Sequence, residues 1–195
     1  MPASGGGEVP VDAWVWILIA VVVVAVIAAI VWATWTKRRT TMLRQQFGPE
    51  YDRTIAQSDG RRSAEGELSA RRERRAELDI RPLSPAARER YAEAWRNVQA
   101  GFVDEPTASL LEAGRLVLIV MRERGYPMDD FEQRVADVSV DHPEVVEHYR
   151  IAHAISADAE DHRVTTEDIR QGLMHYRALF ARLLEANDEQ LREAR

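Results

Sequence analysis

Three residues in the last third of the chain have the types and spacing for chemistry: His142, Glu144 and His148. Imidazole nitrogen and carboxylate oxygen are ordinary zinc donors, and the same pair can act as general acid and base. Glu144 and His148 stand at i, i+4, so on a helix they share a face, with His142 just ahead of it. Such a set would suit metal-dependent hydrolysis. The spacing is equally that of a solvated Glu–His contact on a helix surface, and a polar residue at a helix start needs no further reason. His153 follows His148 by five positions and points elsewhere. No phosphate-binding loop, nucleophile elbow, kinase set or paired-histidine zinc helix accompanies the cluster. The expectation is therefore no catalytic residue, no metal and no cofactor. His142, Glu144 and His148 are the one set on which an enzyme reading would rest.

The elements that would position these residues are helices. Ser84-Pro85 pairs an N-cap with proline at the first helical position, and Tyr91, Trp95, Val98 and Phe102 then mark one helix face. Pro106 opens a second helix, with Leu110, Gly114, Val117, Leu118 and Met121 on its face. Gly125 and Pro127 close it. Three candidate capping boxes follow: Asp129 with Glu132, Asp141 with Glu144, and Thr165 with Asp168. They precede Phe131-Val135-Val138, then Val145-Tyr149-Ala152-Ile155, then Ile169-Leu173-Tyr176-Phe180-Leu183-Leu184. No segment alternates at period two between turn signals. The pattern predicts an all-α domain of about five helices over residues 82–188, with a tail at 189–195. Within it, Tyr126 and Phe131 flank a tight turn beside arginines. They could anchor a protein partner, or fill the core at a helix junction.

Ahead of this domain lies an apolar run without a charge, residues 13–35, which predicts a transmembrane helix. As a helix it would rise roughly 34 Å, enough for a hydrocarbon core of about 30 Å. Trp14 and Trp16 sit at one end and Trp32 and Trp35 at the other, where indole rings favour the headgroup level. Lys37, Arg38 and Arg39 follow at once, while residues 1–12 carry no Lys or Arg. Basic flanks stay on the cytoplasmic side. The expectation is a plasma-membrane protein, single-pass, with residues 1–12 a disordered external tail and the C-terminal domain inside. Ala25, Ala29 and Ala33 at i, i+4, i+8 would permit close helix–helix approach and so a homo-oligomer.

Residues 36–81 read as a basic juxtamembrane stretch and a charged helical spacer. Gly48-Pro49 and Ser58-Asp59-Gly60 break it, and RRSAEGELSARRERRAEL, from Arg61 to Leu78, has only Leu68 and Leu78 as large apolar side chains. From Lys37 to Val103 there are 15 basic and 10 acidic residues; from Asp104 to Arg195 there are 11 and 20. A positive near half suits an anionic leaflet, and the negative distal half argues against nucleic acid as a partner. The chain has no cysteine, which removes disulfides and thiolate sites from consideration.

The blocks FGPEYDR (Phe47 to Arg53), LDIRPLS (Leu78 to Ser84), RGYPMDDFEQR (Arg124 to Arg134) and SVDHPEVVEHYRIAHAI (Ser139 to Ile155) together resemble an uncharacterised family of proteins of high-GC Gram-positive bacteria. The resemblance implies a membrane helix or leader followed by a helical domain, and it transfers no site residues. Taken together, the sequence predicts a membrane-tethered scaffold or adaptor whose partners are lipid and a protein. A metal-dependent hydrolase and a small structural subunit of an envelope complex are the alternatives.

Overall fold

A computed structural model describes the backbone of residues 11–161 and 163–193, with side chains over residues 14–161 and 163–185. These residues form eight helices and no strand: α1 Val11–Phe47, α2 Pro49–Gln57, α3 Arg61–Glu77, α4 Pro85–Gly101, α5 Pro106–Arg124, α6 Phe131–Asp141, α7 Val146–Glu160 and α8 Thr166–Glu193. The all-helical expectation is met. The chain divides into two compact units, Met1–Met42 and Leu43–Arg195.

The first unit holds the apolar part of α1. Among the described residues this is the one helix long and apolar enough to cross a membrane, and its most apolar stretch buries nothing within the chain. Trp14, Trp16, Trp32 and Trp35 are all exposed. At the polar end, Thr34 Oγ1 donates to the Val31 carbonyl at 2.9 Å and Thr36 Oγ1 to the Ala33 carbonyl at 3.0 Å. The helix backbone thus takes up hydroxyls that would otherwise face an apolar surface unpaired. Of the predicted external tail, residues 1–10 lie outside the described residues, whereas Val11 and Asp12 are already helical.

Among the described residues, the second unit has two cores. In the larger, α7 packs along α8, α5 lies against α8 and α7, and α4 lies against α5. Tyr91, Trp95, Val117, Met121, Tyr149 and Leu179 are buried in it. Trp95 stacks on Phe180 with ring centroids 4.6 Å apart. Gly172 sets the spacing of α8: a Cβ there would meet Leu110 Cδ1 at 2.9 Å and Ile155 Cγ2 at 3.0 Å. Apolar matching at this density is what makes such helices cohere.

The smaller core consists of Leu43, Phe47, Tyr51, Leu68 and Val140. It shows what the charged helical stretch packs against. Residues 43–81 belong to the same compact unit as α4–α8, with α2 on α3 and α3 on α6. One buried leucine, Leu68, with Ala64 beside it, is enough because charged side chains supply the rest of that contact. The C-terminal boundary also moves: α8 runs on to Glu193, where a tail from 189 was expected.

The helix ends show which local signals decide. Ser84 Oγ accepts from Ala87 N at 3.1 Å with Pro85 in the first turn. Thr165 Oγ1 accepts from Asp168 N at 3.2 Å while Asp168 Oδ2 accepts from Thr165 N at 2.8 Å, a complete capping box. The other two boxes are not formed as expected. The cap of α6 is Asp130, whose Oδ1 accepts from Gln133 N at 2.7 Å. Asp141 is the last residue of α6, so it cannot start α7, and Val145 caps α7 without a side-chain bond. Gly125 ends α5 at φ 97°, and a Cβ there would meet the Asp79 carbonyl oxygen at 2.4 Å. That turn lets Arg81 N donate to the Arg124 carbonyl at 2.7 Å, fixing the link between α3 and α4 against the end of α5.

Candidate functional site

The predicted cluster is dispersed. Glu144 lies in the turn before α7, so it shares no helix face with His148. Its carboxylate takes Arg182 Nε at 2.7 Å. His142 is buried, with Nε2 3.4 Å from Arg124 Nη1; burial, then the guanidinium, lowers its pKa below the usual 6.5. His148 turns to a third partner, His175 on α8, with the two Nδ1 atoms 2.6 Å apart. Among the described residues no group of three or more His, Asp or Glu is placed to hold an ion.

The aromatic corner is also resolved by burial. Tyr126 is 3% exposed and its hydroxyl donates to Asp141 Oδ2 at 2.8 Å. Burial and the Asp141 charge push the phenol well above its usual range. It serves the junction of α5 and α6 rather than offering an anchor to a partner. Phe131 is half-buried, stacked on His153 at 3.7 Å between centroids and tilted against Tyr149 at 5.1 Å.

The densest polar arrangement lies where α2, α3, α6 and α7 meet. Glu50, 3% exposed, receives Arg150 Nη2 on Oε1 at 2.6 Å and Arg150 Nη1 on Oε2 at 2.8 Å. Arg71 Nη1 reaches Oε1 at 3.0 Å and Ser139 Oγ at 3.3 Å. Arg71 also pairs with Glu67, and Arg150 shares Glu147 with Arg53 at 3.2 and 2.7 Å. Burial alone would raise the Glu50 pKa, but the Arg150 and Arg71 contacts outweigh it and hold the carboxyl below 4.5. A carboxylate gripped by two guanidiniums is a poor proton acceptor, so this centre fastens helices rather than moving protons. Comparison of the chain with family models, curated proteins and solved structures returns no significant match. The site is therefore read from its own geometry.

A second polar contact joins α3 to α6. Asp137, 1% exposed, takes Gln133 Nε2 on Oδ1 at 3.0 Å, and Arg74 Nε lies 3.3 Å from the same oxygen. Its Oδ2 is buried without a hydrogen-bond partner among the described residues, and burial raises the Asp137 pKa despite Gln133 and Arg74. Next along α3, Arg75 Nε reaches Asp141 Oδ2 at 2.5 Å. A groove of about 440 Å³ follows this α3–α6 seam, and one of about 670 Å³ runs between α4 and α5 past Val98, Gly101 and Ser109. Sequence reading missed Glu50, Arg71, Asp137 and His175. Partners of Glu50, Arg71 and His175 lie 21, 100 and 27 residues away, at separations with no helical period to betray them, and Asp137 reaches across to Arg74 on α3 as well as to Gln133 on its own helix.

Proposed function

We propose that this chain is a single-pass membrane protein that holds a cytoplasmic helical domain at the inner face of the plasma membrane to engage another protein. One observation carries the reading. α1 presents a continuous exposed apolar surface bracketed by Trp14, Trp16, Trp32 and Trp35, with Lys37, Arg38 and Arg39 at its polar end. Water is a poor solvent for such a surface, and a bilayer is a good one. The basic end favours the cytoplasmic side, and each such residue adds about 1 kcal/mol of attraction to an anionic leaflet. Confinement to a surface raises the effective concentration of the domain toward anything else held there, which is the mechanism of a tether.

Two measurements test this. A reporter that is active only outside the cytoplasm, fused after Arg195, should be silent, and a cytoplasmic reporter at the same place should be active. Purification of the whole chain in mild detergent should recover a specific protein in stoichiometric amount. An active external reporter overturns the orientation, and recovery of the chain alone across growth conditions overturns the adaptor role.

A further inference from the structure

We infer that His148 and His175 form a two-histidine site for a late transition-metal dication, copper, nickel or zinc, that clasps α7 to α8. The two rings come from different helices, are half-buried, and turn the same nitrogen toward one another: Nδ1 to Nδ1 at 2.6 Å, with centroids 4.9 Å apart and planes 35° apart. Without an ion, one ring must present N–H and the other its lone pair. An ion between them takes both lone pairs, and the displaced Nδ1 proton moves to Nε2 of the same ring, so no charge is lost or gained.

The geometry needs little adjustment. Metal–nitrogen bonds of about 2.0–2.1 Å put two cis nitrogens roughly 2.9–3.4 Å apart, so the pair opens by less than about 1 Å. Half-buried rings at a helix–helix edge can rotate that far, and the same exposure gives the ion a way in. The nearby carboxylates are already spent. Glu144 is held by Arg182 at 2.7 Å, and Glu147 by Arg53 at 2.7 Å and Arg150 at 3.2 Å. The protein therefore supplies two nitrogen donors and solvent completes the set. This favours ions with strong imidazole affinity over magnesium or calcium. His142 and His153 are engaged elsewhere, by Arg124 and by the Phe131 ring. The consequence is mechanical: an ion held by both helices stabilises their packing, because it binds the folded pair and not the separated one.

The test uses the tag-free full chain in detergent micelles, titrated with Cu²⁺ alone and with Zn²⁺ alone. One ion should bind per chain and the melting temperature should rise. His148→Gln and His175→Gln should each weaken binding at least about tenfold and abolish the rise. His153→Gln should change neither. Far-UV circular dichroism checks that each variant is folded; should one fail to fold, the other decides. Absence of binding, wild-type binding by either Gln variant, or binding without a thermal shift overturns the proposal.

Discussion

Arg150 holds both carboxylate oxygens of Glu50, at 2.6 and 2.8 Å, across a separation of 100 residues. This fork ties α2 to α7, and Arg71 on α3 completes it at 3.0 Å. Removing Glu50 leaves the arginines only the more exposed Glu67 and Glu147, and removing Arg150 leaves the buried Glu50 only Arg71. The guanidinium side chains retain 15% and 17% exposure, so part of that cost is relieved by water. Glu50→Gln and Arg150→Ala should each destabilise the chain by about 2–4 kcal/mol, and the double variant should cost less than the sum. Denaturant titration of the detergent-solubilised chain measures both.

The pH dependence of that centre has a definite sign. The folded-state pKa of Glu50 lies below its ordinary 4.5, so the folded chain binds this proton less readily than the unfolded chain. Its contribution is complete above about pH 4.5 and is lost as pH falls through the folded value. The acid limb of the stability curve should be shallower in Glu50→Gln than in the parent. An unchanged limb would mean that the two arginines do not hold the carboxylate as the distances indicate.

These two residues also mark the limit of what could be read in advance. Ser84, Thr165, Gly125 and the apolar faces of α4, α5 and α8 were legible because each is a local pattern with a local cause: a cap, a turn or a helical period. α3 was not. Its contact is made by Arg71, Arg74 and Arg75 reaching carboxylates 21 to 66 residues away, and an arginine leaves no periodic trace of the face it pairs through. The His142–Glu144–His148 cluster failed for a related reason. The spacing implies a helix face through Glu144, whereas the chain is still turning there after α6 ends at Asp141. Once a turn intervenes, i, i+4 spacing carries no geometry.

Asp137 should behave oppositely to Glu50. Its folded-state pKa lies above the ordinary 3.8, with burial the leading cause. Its contribution is fullest below pH 3.8 and declines as pH rises through the folded value. Asp137→Asn removes the buried charge while keeping the shape and the Oδ1 acceptor. Its stability at neutral pH should match or exceed the parent by up to about 1 kcal/mol, because Arg74 keeps Asp129 as a counter-ion at 3.3 Å. A loss above about 3 kcal/mol would show that the ion pair with Arg74 outweighs the desolvation of the carboxylate.

Two glycines with positive φ separate backbone strain from collision. Gly60, at φ 129° before α3, has open space where a Cβ would stand. Gly125, at φ 97°, has the Asp79 carbonyl oxygen 2.4 Å from that point, and carbonyl oxygen in a fixed link cannot swing aside as a flexible side chain can. Gly60→Ala should therefore cost about 1–3 kcal/mol, the price of the conformation alone. Gly125→Ala should cost more than Gly60→Ala, because the α3–α4 link must also move. That movement stretches the 2.7 Å bond from Arg81 N to the Arg124 carbonyl and disturbs Arg124, whose Nη1 donates to the Leu183 carbonyl at 3.2 Å. Hydrogen exchange gives the clearest readout. Gly125→Ala should lose protection at the Arg81 amide and at the end of α5, while Gly60→Ala leaves both unchanged. Equal effects of the two substitutions would mean that the close approach to Asp79 contributes nothing to the fold.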